Sequence, residues 1–190
     1  MSILIFEGIA TSGKSTIINE LAKDLSAKMT VMVAEETETH IPVMEKRNES
    51  HIGFYIDLIN GYLNKRADVV IFDRLYLTQA FRANIGLKEY EQVEKLLLPH
   101  SSLTIFLKVD EDSIAERVSK ATEHRDSKWG EYVKTRGESV EEIAKYYIEQ
   151  QRCQLQLLNK SIIPHTIFNT TNHDYAHIKN EIIKKLKPKN

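Results

Sequence analysis

The chain has almost no cysteine, and Cys153 stands alone among 190 residues. One thiol forms no disulfide within the chain, and no Cys/His spacing matches a structural zinc site, so a cytoplasmic, reducing setting is expected. Glycine (7) and proline (4) are scarce, which excludes loop-rich scaffolds and favours long regular elements. An excess of either charge is also missing: 26 Lys and Arg face 27 Asp and Glu, a formal net charge of -1. Nothing global draws the chain to a nucleic-acid polymer or an anionic membrane, so phosphate chemistry must come from local clusters. Long hydrophobic runs are absent too. The apolar stretch from Ile3 to Phe6 turns acidic at Glu7, too short for a signal-peptide core, and no window stays apolar for the roughly 18 residues a membrane span needs.

What is present is a hydrophobic fraction of 42% and a charged fraction of 28%, the balance of a globular chain. The length fits one domain over 1–190. Short buried runs alternate with helical patterns. Ile3 to Phe6 reads as a strand, followed from Gly13 by Ile17, Ile18, Leu21 and Leu25 on one helix face. Thr30 to Ala34, Val69 to Phe72, Leu103 to Leu107 and His165 to Phe168 read as further strands. Helices are expected over 52–63, in stretches between 75 and 98, and over 113–121, 140–158 and 175–186. Such alternation implies an α/β fold, a parallel sheet with helices on both faces.

The strongest chemical signal is Gly8-Ile9-Ala10-Thr11-Ser12-Gly13-Lys14-Ser15, which fits G-x-x-x-x-G-K-[ST] at every defined position. It follows a strand and opens a helix, where backbone N–H groups and the helix dipole cradle phosphates. Lys14, on an exposed loop in this reading, would neutralise the β and γ phosphates of ATP, and Ser15 would help hold Mg²⁺. Gly8 through Thr16 form the expected ATP-binding set. Asp73-Arg74 ends the third strand, at the carboxyl edge where ligands of parallel sheets gather. That pair suits Mg²⁺, phosphate or a substrate hydroxyl, or else a helix cap and a neighbouring bridge.

Phe6-Glu7-Gly8-Ile9 running into Gly13-Lys14-Ser15-Thr16, with Asp73-Arg74-Leu75 and downstream Thr78, Ala80 and Phe81, resembles the thymidylate kinase and deoxynucleoside kinase group of P-loop phosphotransferases. The resemblance implies a P-loop NTPase fold with a five-stranded parallel sheet of order 2-3-1-4-5, Mg-ATP as donor, an acceptor site at the carboxyl edge and a closing lid. It places Arg74 near the acceptor, Asp73 and Ser15 at the metal, and Glu35 or Glu36 near the carboxylate that activates an acceptor hydroxyl. The chain matches neither subgroup cleanly. Ala10 stands where thymidylate kinases carry an acid, and Glu35-Glu36-Thr37 where deoxynucleoside kinases show glutamate-proline.

The lid candidate spans 122–137 and carries Arg125, Lys128, Lys134 and Arg136. Its cations would offset charge on the transferred phosphoryl, with Arg125 in a catalytic role; a solvated helix connection is the alternative. Arg117 reaches either phosphate or surface partners such as Asp110 and Ser113. Phe54, Tyr55, Leu58 and Tyr62 share a helix face that serves as core or as a base-stacking wall. His173 and His177 have a chelating spacing but no third ligand. The expected function is ATP-dependent phosphoryl transfer to a nucleoside or nucleoside monophosphate. Transfer to another small-molecule hydroxyl, or a regulatory nucleotide-binding protein without transfer, are the alternatives, and a homodimer is left open. A GTPase switch lacks its Asn-Lys-x-Asp motif: Asn159-Lys160-Ser161 ends in Ile162.

Overall fold

The structure is a computed structural model that describes residues 1–44, 49–124 and 127–186. Five strands, β1 (Ser2–Glu7), β2 (Val31–Ala34), β3 (Val69–Asp73), β4 (Ser101–Lys108) and β5 (His165–Asn169), pair in parallel in the order β2-β3-β1-β4-β5. β1 and β3, rich in Ile, Val and Phe, are buried along nearly their whole length because helices cover both faces. β5, at an edge, alternates between exposed and half-buried residues. The register sets Phe6 beside Asp73 and Glu7 beside Phe106, so the carboxyl ends of β1, β3 and β4 meet at one rim.

Helix α1 (Lys14–Ser26) lays Ile17, Ile18, Leu21 and Leu25 on one face of the sheet, beside α10 (Tyr175–Lys185) with Ile178 and Ile182. The opposite face is covered by α4 (Ile52–Leu63), α5 (Leu77–Ala83), α6 (Glu91–Leu97) and α9 (Val140–Leu158). A third apolar cluster joins Ile9 of the phosphate loop to α7 (Glu111–His124), α8 (Ser127–Lys134) and α9 through Ile114, Val118, Val133 and Tyr147. Two short helices, α2 (Glu36–Thr39) and α3 (Ile41–Met44), follow β2.

The differences from the sequence reading are local. The helical stretch between 75 and 98 is broken where Asn84 takes a left-handed conformation (φ 53°) and a 3₁₀ turn, Leu87–Tyr90, intervenes before α6. The polar stretch expected as a lid contains α8, whose Val133 is 2% exposed. Tyr55 and Tyr62 of the α4 stripe are core residues. Among the described residues no helix is long and apolar enough to cross a membrane.

Candidate active site

The loop between β1 and α1 is shaped by backbone that side chains would obstruct. Gly8 (φ 137°) lies so close to β4 that a Cβ there would meet Leu107 O at 2.5 Å, and Gly13 (φ 91°) opens α1 against the ring of Tyr175. Lys14 is 5% exposed, which corrects its reading as a residue of an exposed loop. Its ammonium donates to the carbonyls of Gly8 (3.1 Å) and Ile9 (2.9 Å). Burial, with the adjacent Arg74 charge, brings the Lys14 pKa down to about 8.

Across the loop stands the end of β3. Arg74 adopts a left-handed conformation (φ 66°), unusual for a residue with a Cβ, while its N–H still donates to Phe6 O at 2.9 Å. That turn is held by Glu7, fully buried, whose carboxylate accepts from the N–H groups of Leu75 (3.0 Å) and Leu77 (3.2 Å) and from Thr78 Oγ1 (3.2 Å). The Arg74 guanidinium is thereby aimed back at the loop. Its Nη1 donates to Gly8 O (2.9 Å) and Thr78 Oγ1 (3.2 Å), and its Nε to Glu36 Oε1 (2.9 Å).

Glu36 reaches this point because Thr39, buried in α2, donates to the Asp73 carbonyl at 2.5 Å and fixes the helix on the strand end. Partial desolvation raises the Glu36 pKa, but the charges of Arg74 and Lys14 overcome it and hold the carboxyl down to about 2. Glu35 sits one residue earlier, exposed, where Glu38 accepts from its N–H at 3.4 Å. Of the two expected carboxylates, the structure brings Glu36 to the loop and leaves Glu35 at the helix start.

Ser15 Oγ lies 3.5 Å from Asp73 Oδ2, and Asp73 Oδ1 is shielded from solvent with no hydrogen-bond partner among the described residues. Burial raises the Asp73 pKa, while Lys14 and Arg74 work against that rise. A hydroxyl beside a carboxylate with one oxygen unsatisfied fits the hard, oxygen-ligated Mg²⁺ expected there. Ala10, Thr11, Gly13, Lys14, Ser15, Thr16, Glu36 and Arg74 line a cavity of about 100 Å³, roofed by Trp129 and Tyr132 of α8. Larger cavities lie at the opposite, amino end of the strands around Ser2 and Ser101, away from all of these residues.

A second cavity at the loop, about 460 Å³, is bounded by Thr11, Gly13, Thr16, Arg117, Lys120, Thr171 and His173. Arg117 is not the surface residue its sequence neighbours suggest. It is 7% exposed and donates to the carbonyls of Thr11 (2.9 Å), Thr170 and Thr171 (3.3 Å), tying α7 to the loop and to the turn after β5. His173 faces Tyr175 and Arg117, and among the described residues no group of three or more His, Cys, Asp or Glu is placed to hold a metal ion. Arg117 was legible as a residue that reaches phosphate or surface partners but not as a tie to Thr11, and the hold of Glu7 on the turn after β3 was not legible, because these partners lie far away in sequence. Arg125 lies outside the described residues.

The sheet order and the glycine-lysine loop between β1 and α1 together define the parallel α/β fold of P-loop NTPases. No protein-family model matches the chain, and no curated protein matches its sequence. Solved structures do. The YorR protein from Bacillus subtilis, in complex with phosphorylated GDP, superposes with a TM-score of 0.67 at 16% identity, covering 96% of this chain and 94% of that one. Shikimate kinase from Bacteroides thetaiotaomicron gives 0.61 at 16% identity, covering 97% and 98%. Deoxyadenosine kinase from M. mycoides, with the products dCMP and dCDP bound, gives 0.56 at 18% identity, covering 98% of each chain.

Proposed function

We propose that this chain is an ATP-dependent phosphotransferase acting on a small-molecule acceptor, a nucleoside or nucleoside monophosphate. The observation that carries the reading is the Arg74 bridge. One guanidinium joins Glu36, the Gly8 carbonyl and Thr78 at the rim of the cavity lined by Lys14 and Ser15. A phosphate-loop cation, a carboxylate and an arginine around one small cavity are the parts that phosphoryl transfer needs.

In this reading Gly8 to Thr16 cradle the triphosphate, and the Lys14 ammonium exchanges its two loop carbonyls for phosphate oxygens. Ser15 and Asp73 would hold Mg²⁺, which supplies charge neutralisation between the phosphates when bound. Glu36 accepts a hydrogen bond from the acceptor hydroxyl. As that oxygen forms its bond to the γ-phosphorus and the bond to the β-phosphate oxygen breaks, the hydroxyl proton passes to Glu36 and ADP leaves. A carboxylate held ionised by Arg74 suits a hydroxyl, a poor nucleophile, better than a phosphate that already carries nucleophilic oxygens. The cavity beside Arg117 takes the donor's base and ribose. Residues 1–190 act as one domain, with the segment 122–137 closing over the loop and Arg125 among its cations.

Acceptor-dependent ADP release, measured with Mg-ATP and a panel of nucleosides, their monophosphates and other small alcohols, tests the assignment. Turnover with a nucleoside or monophosphate is expected. Donor binding without turnover on any acceptor would leave a regulatory nucleotide-binding protein instead.

A further inference from the structure

Helix α5 carries a second arginine, Arg82, one turn beyond Thr78 and about 6 Å further along the axis. Its Nη2 donates to Tyr132 Oη at 2.6 Å, whereas Nε and Nη1, both shielded from solvent, have no partner among the described residues. Arg136, just past α8, donates to the same phenol oxygen at 3.3 Å and lies 4.9 Å from the ring centres of Tyr132 and Tyr146. Its Nε is likewise shielded and has no hydrogen-bond partner among the described residues. Among the described residues neither guanidinium forms an ion pair, whereas Arg74 has its own in Glu36.

The groups around the two arginines are polar and equally unsatisfied. His40 is 2% exposed, and among the described residues its Nδ1 and the hydroxyls of Tyr55 and Tyr147, both in the core, have no hydrogen-bond partner. His40 and Tyr55 feel the charge of Arg82, and Tyr147 that of Arg136. Burial first, then the charges of Arg82 and Arg74, push the His40 pKa well below 6.5, so it adds no cation of its own. Burial and the repulsion of Arg136 and Arg74 likewise hold Arg82 below its usual value, against the opposing pull of Tyr132 and Tyr146. Desolvated guanidinium nitrogens without acceptors are costly, and proteins keep them where a ligand completes them. The planar fork of arginine matches the paired oxygens of a phosphate or carboxylate. Tyr132 Oη, between the two forks, marks where such an oxygen sits.

We propose that Arg82 and Arg136 form a second oxyanion site, behind Tyr132 at the edge of the phosphate-loop cavity, which holds a phosphate or carboxylate group carried by the acceptor. The proposal rests on the phosphotransferase reading and narrows it to an anionic acceptor. The test saturates the full chain with Mg²⁺ and adenylyl imidodiphosphate, so that the loop is filled, and then titrates inorganic phosphate or acetate at constant ionic strength. Emission of Trp129, the chain's one tryptophan, and the melting temperature are both followed. Saturable binding is expected, weakened roughly tenfold or more in Arg82→Gln and in Arg136→Gln, each measured after the loop has been saturated with the nucleotide analogue. Binding of phosphate alone assigns a phosphate-bearing acceptor, and binding of acetate as well assigns a carboxylate. No saturable binding of either anion, or unchanged binding in both variants, overturns the site. If Arg82→Gln fails to fold, Arg136→Gln carries the same comparison. Wild-type protein that does not bind the analogue overturns the phosphotransferase reading as well, whereas analogue binding without anion binding counts against this site alone.

Discussion

At the scale of single residues, the site is governed by where charges are buried. Lys14 has a pKa brought down to about 8, so around that pH part of the population carries no charge on the ammonium. Triphosphate oxygens stabilise the charged form, so binding Mg-ATP at about pH 8.5 should take up a proton, and affinity should weaken as pH rises through that range. Calorimetry in two buffers of different ionisation enthalpy measures the uptake. Lys14→Ala should abolish it and lower transfer by roughly 10²–10³-fold, and a wild-type binding enthalpy independent of buffer would refute the assignment. The two neighbouring glutamates should part company. Glu36→Gln removes the carboxylate that meets Arg74 and should cut the rate by roughly 10²-fold with ATP affinity little changed, while Glu35→Gln, at an exposed position, should leave turnover near wild type. An equal loss in both variants would refute the distinction between them, and wild-type turnover in both would leave Glu36 as a partner of Arg74 alone.

At the scale of elements, the strands were legible as short apolar runs, and α1, α4 and α9 because each buries a face that repeats at a fixed period, as Ile17, Ile18, Leu21 and Leu25 do in α1. The phosphate loop was legible because its chemistry is contiguous in sequence. Arg117 on Thr11, Glu7 on Leu75 and Leu77, and Arg82 on Tyr132 were not, since each joins residues whose separation no local pattern encodes. Helix α8 shows the same limit. Composition alone gives a polar connection, yet Val133 anchors it in the third cluster while Trp129 and Tyr132 face the phosphate loop. That roof leaves about 100 Å³ above Lys14, so on the proposed phosphotransferase reading α8 is expected to shift outward to admit a triphosphate and settle again around it. Limited proteolysis should cut within 122–137 faster in free protein than with a bisubstrate analogue bound, and equal rates would make the segment a fixed part of the surface.

At the scale of the whole molecule, Glu7 ties the phosphate-loop end of β1 to the turn after β3, and burial raises its pKa above 4.5 against the pull of the Leu75 amide and the Arg74 charge. A carboxyl that holds its proton more tightly folded than unfolded contributes stability at low pH and loses it as pH climbs from 4.5 through the raised folded value. Glu7→Gln keeps an oxygen for both amides and removes the titration. Denaturant unfolding should therefore show the variant gaining on the wild type as pH rises above 4.5, and a difference that does not vary with pH would refute the assignment. The strand order has another consequence, in the timing of synthesis. β1 pairs with β3 and β4, both made later, and Gly8 takes its place against Leu107. At the usual pace of about 5–20 residues per second, roughly 5–20 s pass between the emergence of β1 and that of β4 from the ribosome. The loop after β1 is thus made well before the strand against which it takes its shape.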